Sequence, residues 1–235
     1  MGAPFYDITL YASTPFEVGS PEYYEHTFIK NYICDLYVQK MYGYKPPKTT
    51  RITIEPSYYN IWKQTWRYGS LVTIAVFYSY EEYKILDKKA RYKYILDIIQ
   101  TATLQLSEEY NWDKNVFIKA YNEIINCDFE FKVTYPFKMS KNRKKSVQVV
   151  IEKDEYVTSF ILVVKMNDTT KAVTLFQNRN WFLYDIIYEM AKNTKWMDDD
   201  TIGIFSIKRD KSCYYSITKN TLSGNLNFKE DDFNS

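Results

Sequence analysis

From Cys127 onward the chain reads as strand after strand, with period-two runs of β-branched and aromatic residues over 127 to 137, 146 to 153, 156 to 166 and 170 to 177. Only "EKDE" and "MNDTTK" separate the last three of these runs. Both are turn-like connections, as expected of mostly antiparallel sheets. One helix interrupts the series: "NWFLYDIIYEMAK" begins after Asn180 and carries Leu183, Tyr184, Ile187, Tyr188 and Ala191 at helical spacing. Two further strands are predicted near 202 to 208 and 212 to 218.

Upstream of Cys127 the pattern is richer in helix. "FYDITLYA" alternates as a half-buried strand, and "SPEYYEHTFIKNYICDLYVQKMYG" has a helix start at Ser20 and Pro21 and a stop at Gly43. "RITIEPS", "YYNIWKQTW" and "LVTIAVFYSY" read as three strands in an antiparallel meander, the last two joined at Arg67 to Ser70. A long helix from about Glu81 to Glu109 follows, with Leu86, Ala90, Tyr94, Ile98, Ala102 and Leu106 on one stripe. A second helix starts at Asp113, where Trp112 and Phe117 stand at staple spacing. The whole is an α+β chain of mostly antiparallel sheets with about four helices, β-α-β-β-β-α-α followed by β-β-β-β-α-β-β. It divides into a helix-rich subdomain over 1–126, a strand-rich subdomain over 127–218 packed against it, and a loosely held tail over 219–235.

Charge narrows the function. Lys+Arg 31 against Asp+Glu 29 gives a formal net charge of +2, without the single-sign field that a phosphate backbone demands, so nucleic acid is a disfavoured partner. No window approaches the roughly 18 uninterrupted apolar residues of a membrane span, and the N-terminus has neither the basic region of an export signal nor a myristoylation pattern. Cys34, Cys127 and Cys213 are three, widely spaced and set among apolar residues, which reads as free thiols in a reducing compartment. The cytoplasm is the expected location.

Few residues offer chemistry. His26 is the single histidine, so histidine-dependent triads and His-clustered zinc sites have one possible member, and its place between Glu25 and Thr27 predicts a surface position. The cysteines lack metal-ligand spacing, and no glycine-rich phosphate loop or nucleophile elbow occurs. No catalytic residue, metal or cofactor is therefore assigned. "CDFEFKV" gives the one catalytic alternative: Asp128, Glu130 and Lys132 on one side of a strand, as metal-dependent nucleases and phosphodiesterases present a carboxylate and a lysine to a metal-bound water. A strand with one wet face produces the same alternation.

Two charge runs and one aromatic run remain. Lys138, Lys141, Arg143, Lys144 and Lys145 form a basic hairpin tip, read as a solvated turn with contact to nucleic acid as the alternative. Asp198, Asp199 and Asp200 form an acidic turn able to steer a basic partner. "EPSYYNIWKQTWRYG" concentrates Tyr58, Tyr59, Trp62, Trp66 and Tyr68, with Trp62 and Trp66 on one strand face. If helices cover both faces of that sheet the rings are core; if one face is open, Tyr58, Trp62, Trp66 and Tyr68 are candidate anchors for another protein. An aromatic-rich chain without catalytic groups fits a non-catalytic intracellular protein-binding module. A toxin-neutralising immunity or antitoxin protein, with a toxin or effector as partner, is one concrete form.

Overall fold

In a computed structural model the described residues are 5–11, 16–57, 64–179, 184–206 and 212–225. The chain is α+β and separates into two compact units, Met1–Glu130 and Phe131–Ser235. The order of elements follows the one read from the sequence.

The first unit contains β1 (Asp7–Leu10), α1 (Pro21–Lys40), β2 (Arg51–Ser57), β3 (Thr65–Tyr68), β4 (Leu71–Phe77), α2 (Tyr80–Lys84), α3 (Lys88–Tyr110) and α4 (Lys114–Asn126). The helix starts are local. Ser20 accepts from the Tyr23 amide at 3.2 Å and Pro21 stands in the first turn, while Asp87 caps α3 through Ala90 at 2.8 Å and Asp113 caps α4 through Asn115 at 3.0 Å. The continuous helix predicted from Glu81 to Glu109 is instead broken, because Ser79 and Asp87 each supply an N-cap and so start separate helices.

The sheet runs in the order β1-β2-β4-β3. The predicted meander is corrected here: β2 pairs with β4, not β3, and both β1–β2 and β2–β4 are parallel. Helix α1 is the crossover for the first pair, and the stretch 58–70 is long enough to return the chain for the second. Strand β3 is folded back onto the outside of β4 by a turn at Gly69, whose φ of 58° suits glycine. The inner face, Ile8, Leu10, Ile52, Ile54, Val72, Ile74 and Val76, is buried, and α1 and α3 pack on β1 and β4. Tyr37 fastens the helices to one another: its hydroxyl meets Gln100 Oε1 at 2.6 Å, Thr103 Oγ1 at 2.9 Å and the Phe117 carbonyl at 3.2 Å.

The second unit contains β5 (Phe131–Thr134), β6 (Lys138–Met139), β7 (Lys145–Lys153), β8 (Val157–Met166), β9 (Thr169–Arg179), α5 (Tyr184–Asn193), β10 (Lys195–Trp196), β11 (Thr201–Phe205), β12 (Ser212–Ser216) and β13 (Thr221–Asn225). One antiparallel sheet orders as β5-β7-β8-β9 with β6 beside β7, and a second as β10-β11-β12-β13. Alternate residues of both sheets, among them Val149, Ile151, Phe160, Leu162, Ile202 and Ile204, form one core with Ile187, Met190 and Ala191 of α5. Strand β13 lies within the tail expected to be loosely held; Thr221–Asn225 pairs with Ser216–Ser212 even though its sequence has little apolar period. Residues 226–235 lie outside the described part.

Candidate functional site

The outer face of the first unit's sheet is the principal candidate. Register places Asp7, Thr9, Arg51, Thr53, Glu55, Ser57, Leu71, Thr73, Ala75, Phe77, Trp66 and Tyr68 on the side opposite the buried isoleucines. Its middle is polar, with Thr53 and Thr73 side by side and buried among their neighbours, and at the β1 end of the first row Arg51 Nε donates to Asp7 Oδ1 at 2.6 Å. The exposed apolar groups lie on the β4–β3 side: Trp66 at 42% exposure, Tyr68 at 84%, Leu71 at 39% and Phe77 at 51%. Tyr11, just beyond β1, is exposed too.

Of the predicted anchors, Trp66 and Tyr68 are therefore on the surface, not in a core covered on both sides. Tyr58, Tyr59 and Trp62 lie outside the described residues. Sequence reasoning missed Leu71 and Phe77; the period of β4 would have grouped them with each other, but only the register with β3 groups them with Trp66 and Tyr68. Strand β3 is held from its other side. Arg67 stacks 4.5 Å from the Tyr110 ring centre and Thr65 donates to the Glu109 carboxylate at 2.6 Å, so the backbone carrying Trp66 is fixed against α3.

The basic hairpin and the acidic turn, assigned separately from sequence, meet each other in the second unit. Lys145 Nζ pairs with Asp200 Oδ1 at 2.8 Å, and the Asn142 amide donates to Asp199 Oδ1 at 3.0 Å. Asp200 also accepts from the Thr218 hydroxyl at 2.5 Å and from Ser216 Oγ at 2.8 Å. These donors, Lys145 foremost, hold its carboxyl well below the ordinary carboxylate range. Asp198 accepts from the Asp200 and Thr201 amides at 2.7 Å each, which also depresses its pKa. Lys138 turns toward α5, donating to the Lys192 carbonyl at 2.9 Å and to that of Thr194. Lys141, Arg143 and Lys144 are left on the exposed turn.

The strand reading of "CDFEFKV" is overturned. Cys127–Phe129 is a turn closing α4, with the Phe129 amide bonded to the Ile124 carbonyl and positive φ at Asp128 (52°) and Phe129 (63°). Strand β5 begins only at Phe131. Asp128 pairs with Lys89 at 2.5 Å in the first unit, while Lys132 pairs with Glu152 at 2.7 Å in the second. Glu130 precedes the strand, so the three do not share a strand face. Among the described residues no group of three or more His, Cys, Asp and Glu side chains stands close enough to hold a metal ion.

His26 is also corrected: it is buried, 1% exposed, not on the surface. It sits among Tyr78, Tyr83 and Phe16, with Nε2 at 2.6 Å from the Tyr78 hydroxyl and the Tyr83 ring edge-on at 4.8 Å. Desolvation first, then the nearby Lys30 and Arg91 charges, lowers its pKa from 6.5 to about 3. A histidine buried with one nitrogen on a tyrosine and rings packed around it is a core element.

Cys34 and Cys213 are buried free thiols, each pushed up to about 12 chiefly by desolvation, and Cys127 is partly exposed. No helix among the described residues is long and apolar enough to cross a membrane. Comparison of the chain with protein-family models, with curated proteins and with solved structures found no match.

Proposed function

We propose that the protein is a non-catalytic protein-binding module whose contact surface is the outer face of the β1-β2-β4-β3 sheet. The observation that carries this reading is the exposure of Trp66 on a rigid strand, with Tyr68, Leu71 and Phe77 on the same face. Interfaces draw most of their energy from a few aromatic anchors ringed by groups that exclude water. Anchors carried on backbone held in advance lose less conformational freedom on binding than anchors on a loop. Here Arg67 and Thr65 fix the strand from behind, and the Asp7–Arg51 pair offers a polar group for orientation at the β1–β2 side of the same face. A toxin-neutralising or effector-neutralising role is the form of module we favour, since such a protein works by covering its partner and needs no reactive groups of its own.

The test is affinity capture from the native host with the tagged chain, followed by purification of the captured protein and a direct titration. Trp66→Ala and Tyr68→Ala should leave the melting temperature close to the parent while Trp66→Ala costs at least about 2 kcal/mol of binding. A stoichiometric partner whose affinity is unchanged by both substitutions would rule out this face.

A further inference from the structure

A separate feature of the second unit points to a small ligand. Where β6, the end of α5, β10 and the end of β11 come together, a cavity of about 550 Å³ is walled by Lys138, Lys192, Lys195, Thr194, Phe205 and Ser206. Its volume lies within the range of roughly 300–1,000 Å³ typical of small-molecule sites. Three lysines are among its lining residues, and no acidic residue is.

The contrast with the adjoining hairpin is informative. Lys145 is matched by Asp200, whereas among the described residues none of Lys138, Lys192 and Lys195 has a carboxylate partner. Lys138 is also fixed in place. Its ammonium donates to the carbonyls of Lys192 and Thr194, and its own carbonyl accepts from Trp196 Nε1 at 2.8 Å, which locks β6 to β10. An ammonium has three N–H donors, so one remains for a ligand. Burial depresses the Lys138 pKa, as expected for a cation without a compensating acid. Lys192 and Lys195 are exposed on long stems, the Lys195 ammonium lying 5.2 Å from the centre of the Phe205 ring at the cavity wall, and both are available to an anion entering beside Lys138.

We propose that this cavity binds a phosphate-bearing small molecule, with Lys138 as the fixed donor and Lys192 and Lys195 as exposed counter-charges. Phosphate is favoured over a single carboxylate because a phosphate monoester carries about −1.5 to −2 charge and three strong acceptor oxygens, enough to engage three ammonium groups at once. The site is in a different unit from the proposed protein-binding face and does not depend on it.

Isothermal titration at low ionic strength tests this with tripolyphosphate, ATP and citrate as probes. Tripolyphosphate should bind saturably at one site and weaken as salt is raised. Equal affinity for ATP would assign recognition to the phosphates alone, and tighter ATP binding would add a nucleoside contact; either sustains the site. Lys192→Ala/Lys195→Ala should weaken binding by about tenfold or more, the loss expected for charge-assisted hydrogen bonds, at an unchanged melting temperature. Lys141→Ala/Lys144→Ala, on the exposed turn, should change affinity less than about twofold, as surface charge outside the site should. Absence of saturable phosphate binding, citrate binding as tight as tripolyphosphate, or an equal loss in both double variants would overturn the proposal. Should Lys138→Met unfold the end of α5, the Lys192 and Lys195 variants still decide the question.

Discussion

Acid should destabilise the first unit through His26, and the effect can be sized. Its imidazole is buried against Tyr78, Tyr83 and Phe16, and the charged groups Lys30 and Arg91 face it. Well above pH 6.5 the ring is neutral in both folded and unfolded chains and contributes no pH dependence. Below that value the unfolded chain takes up a proton that the folded one refuses until about pH 3, so stability falls as pH falls. The full drop in pKa is worth roughly 5 kcal/mol, and at pH 5 about 2 kcal/mol of it has been lost. His26→Phe keeps an aromatic ring against Tyr83 and removes the titration. Urea unfolding at pH 7, 6 and 5 on both proteins isolates this contribution, because carboxylates common to both cancel in the difference. The parent should lose about 2 kcal/mol more than His26→Phe between pH 7 and pH 5. Parallel pH profiles would show that the imidazole titrates alike in the folded and unfolded chains, and the account of its burial would be wrong.

Trp66→Ala should cost about 1 kcal/mol of stability or less, since a half-exposed ring on an edge strand leaves no sealed cavity, in contrast with roughly 3 to 5 kcal/mol for a core tryptophan; thermal unfolding monitored by circular dichroism separates the two. Lys145→Met should destabilise the second unit more than Lys141→Met, because only Lys145 is paired with Asp200, and equal melting temperatures for the two variants would contradict the pairing. The depressed Asp200 pKa adds stability that is present above pH 3.8 and lost progressively as pH falls below it toward the lower folded value, so Asp200→Asn should flatten the acid limb of the unfolding profile. A thiol reagent at pH 8 should label Cys127 first, with Cys34 and Cys213 reacting only on unfolding; mass spectrometry of labelled peptides reads the order.

What the sequence determined by itself is what depends on neighbouring residues. Ser20, Pro21, Asp87 and Asp113 start helices through hydrogen bonds that span two or three positions, and the period of β7, β8 and β9 decides which side chains face the core. Those signals also carried the α+β class and the order of elements. Tertiary structure decided everything that depends on a partner distant in the chain. Whether β2 lies beside β3 or β4 is invisible in its own alternation, because a strand presents the same backbone donors and acceptors to either neighbour. His26 has an unremarkable helical position, and only the arrival of Tyr78 and Tyr83 buries it. The basic and acidic runs read as two solvated patches because charge pairing acts through space, and it took the packing of β7 beside the 198–200 turn to join Lys145 to Asp200. Trp66 was legible as an aromatic of consequence, but its exposure follows from α1 and α3 covering only one face of the sheet, a fact that no single strand encodes.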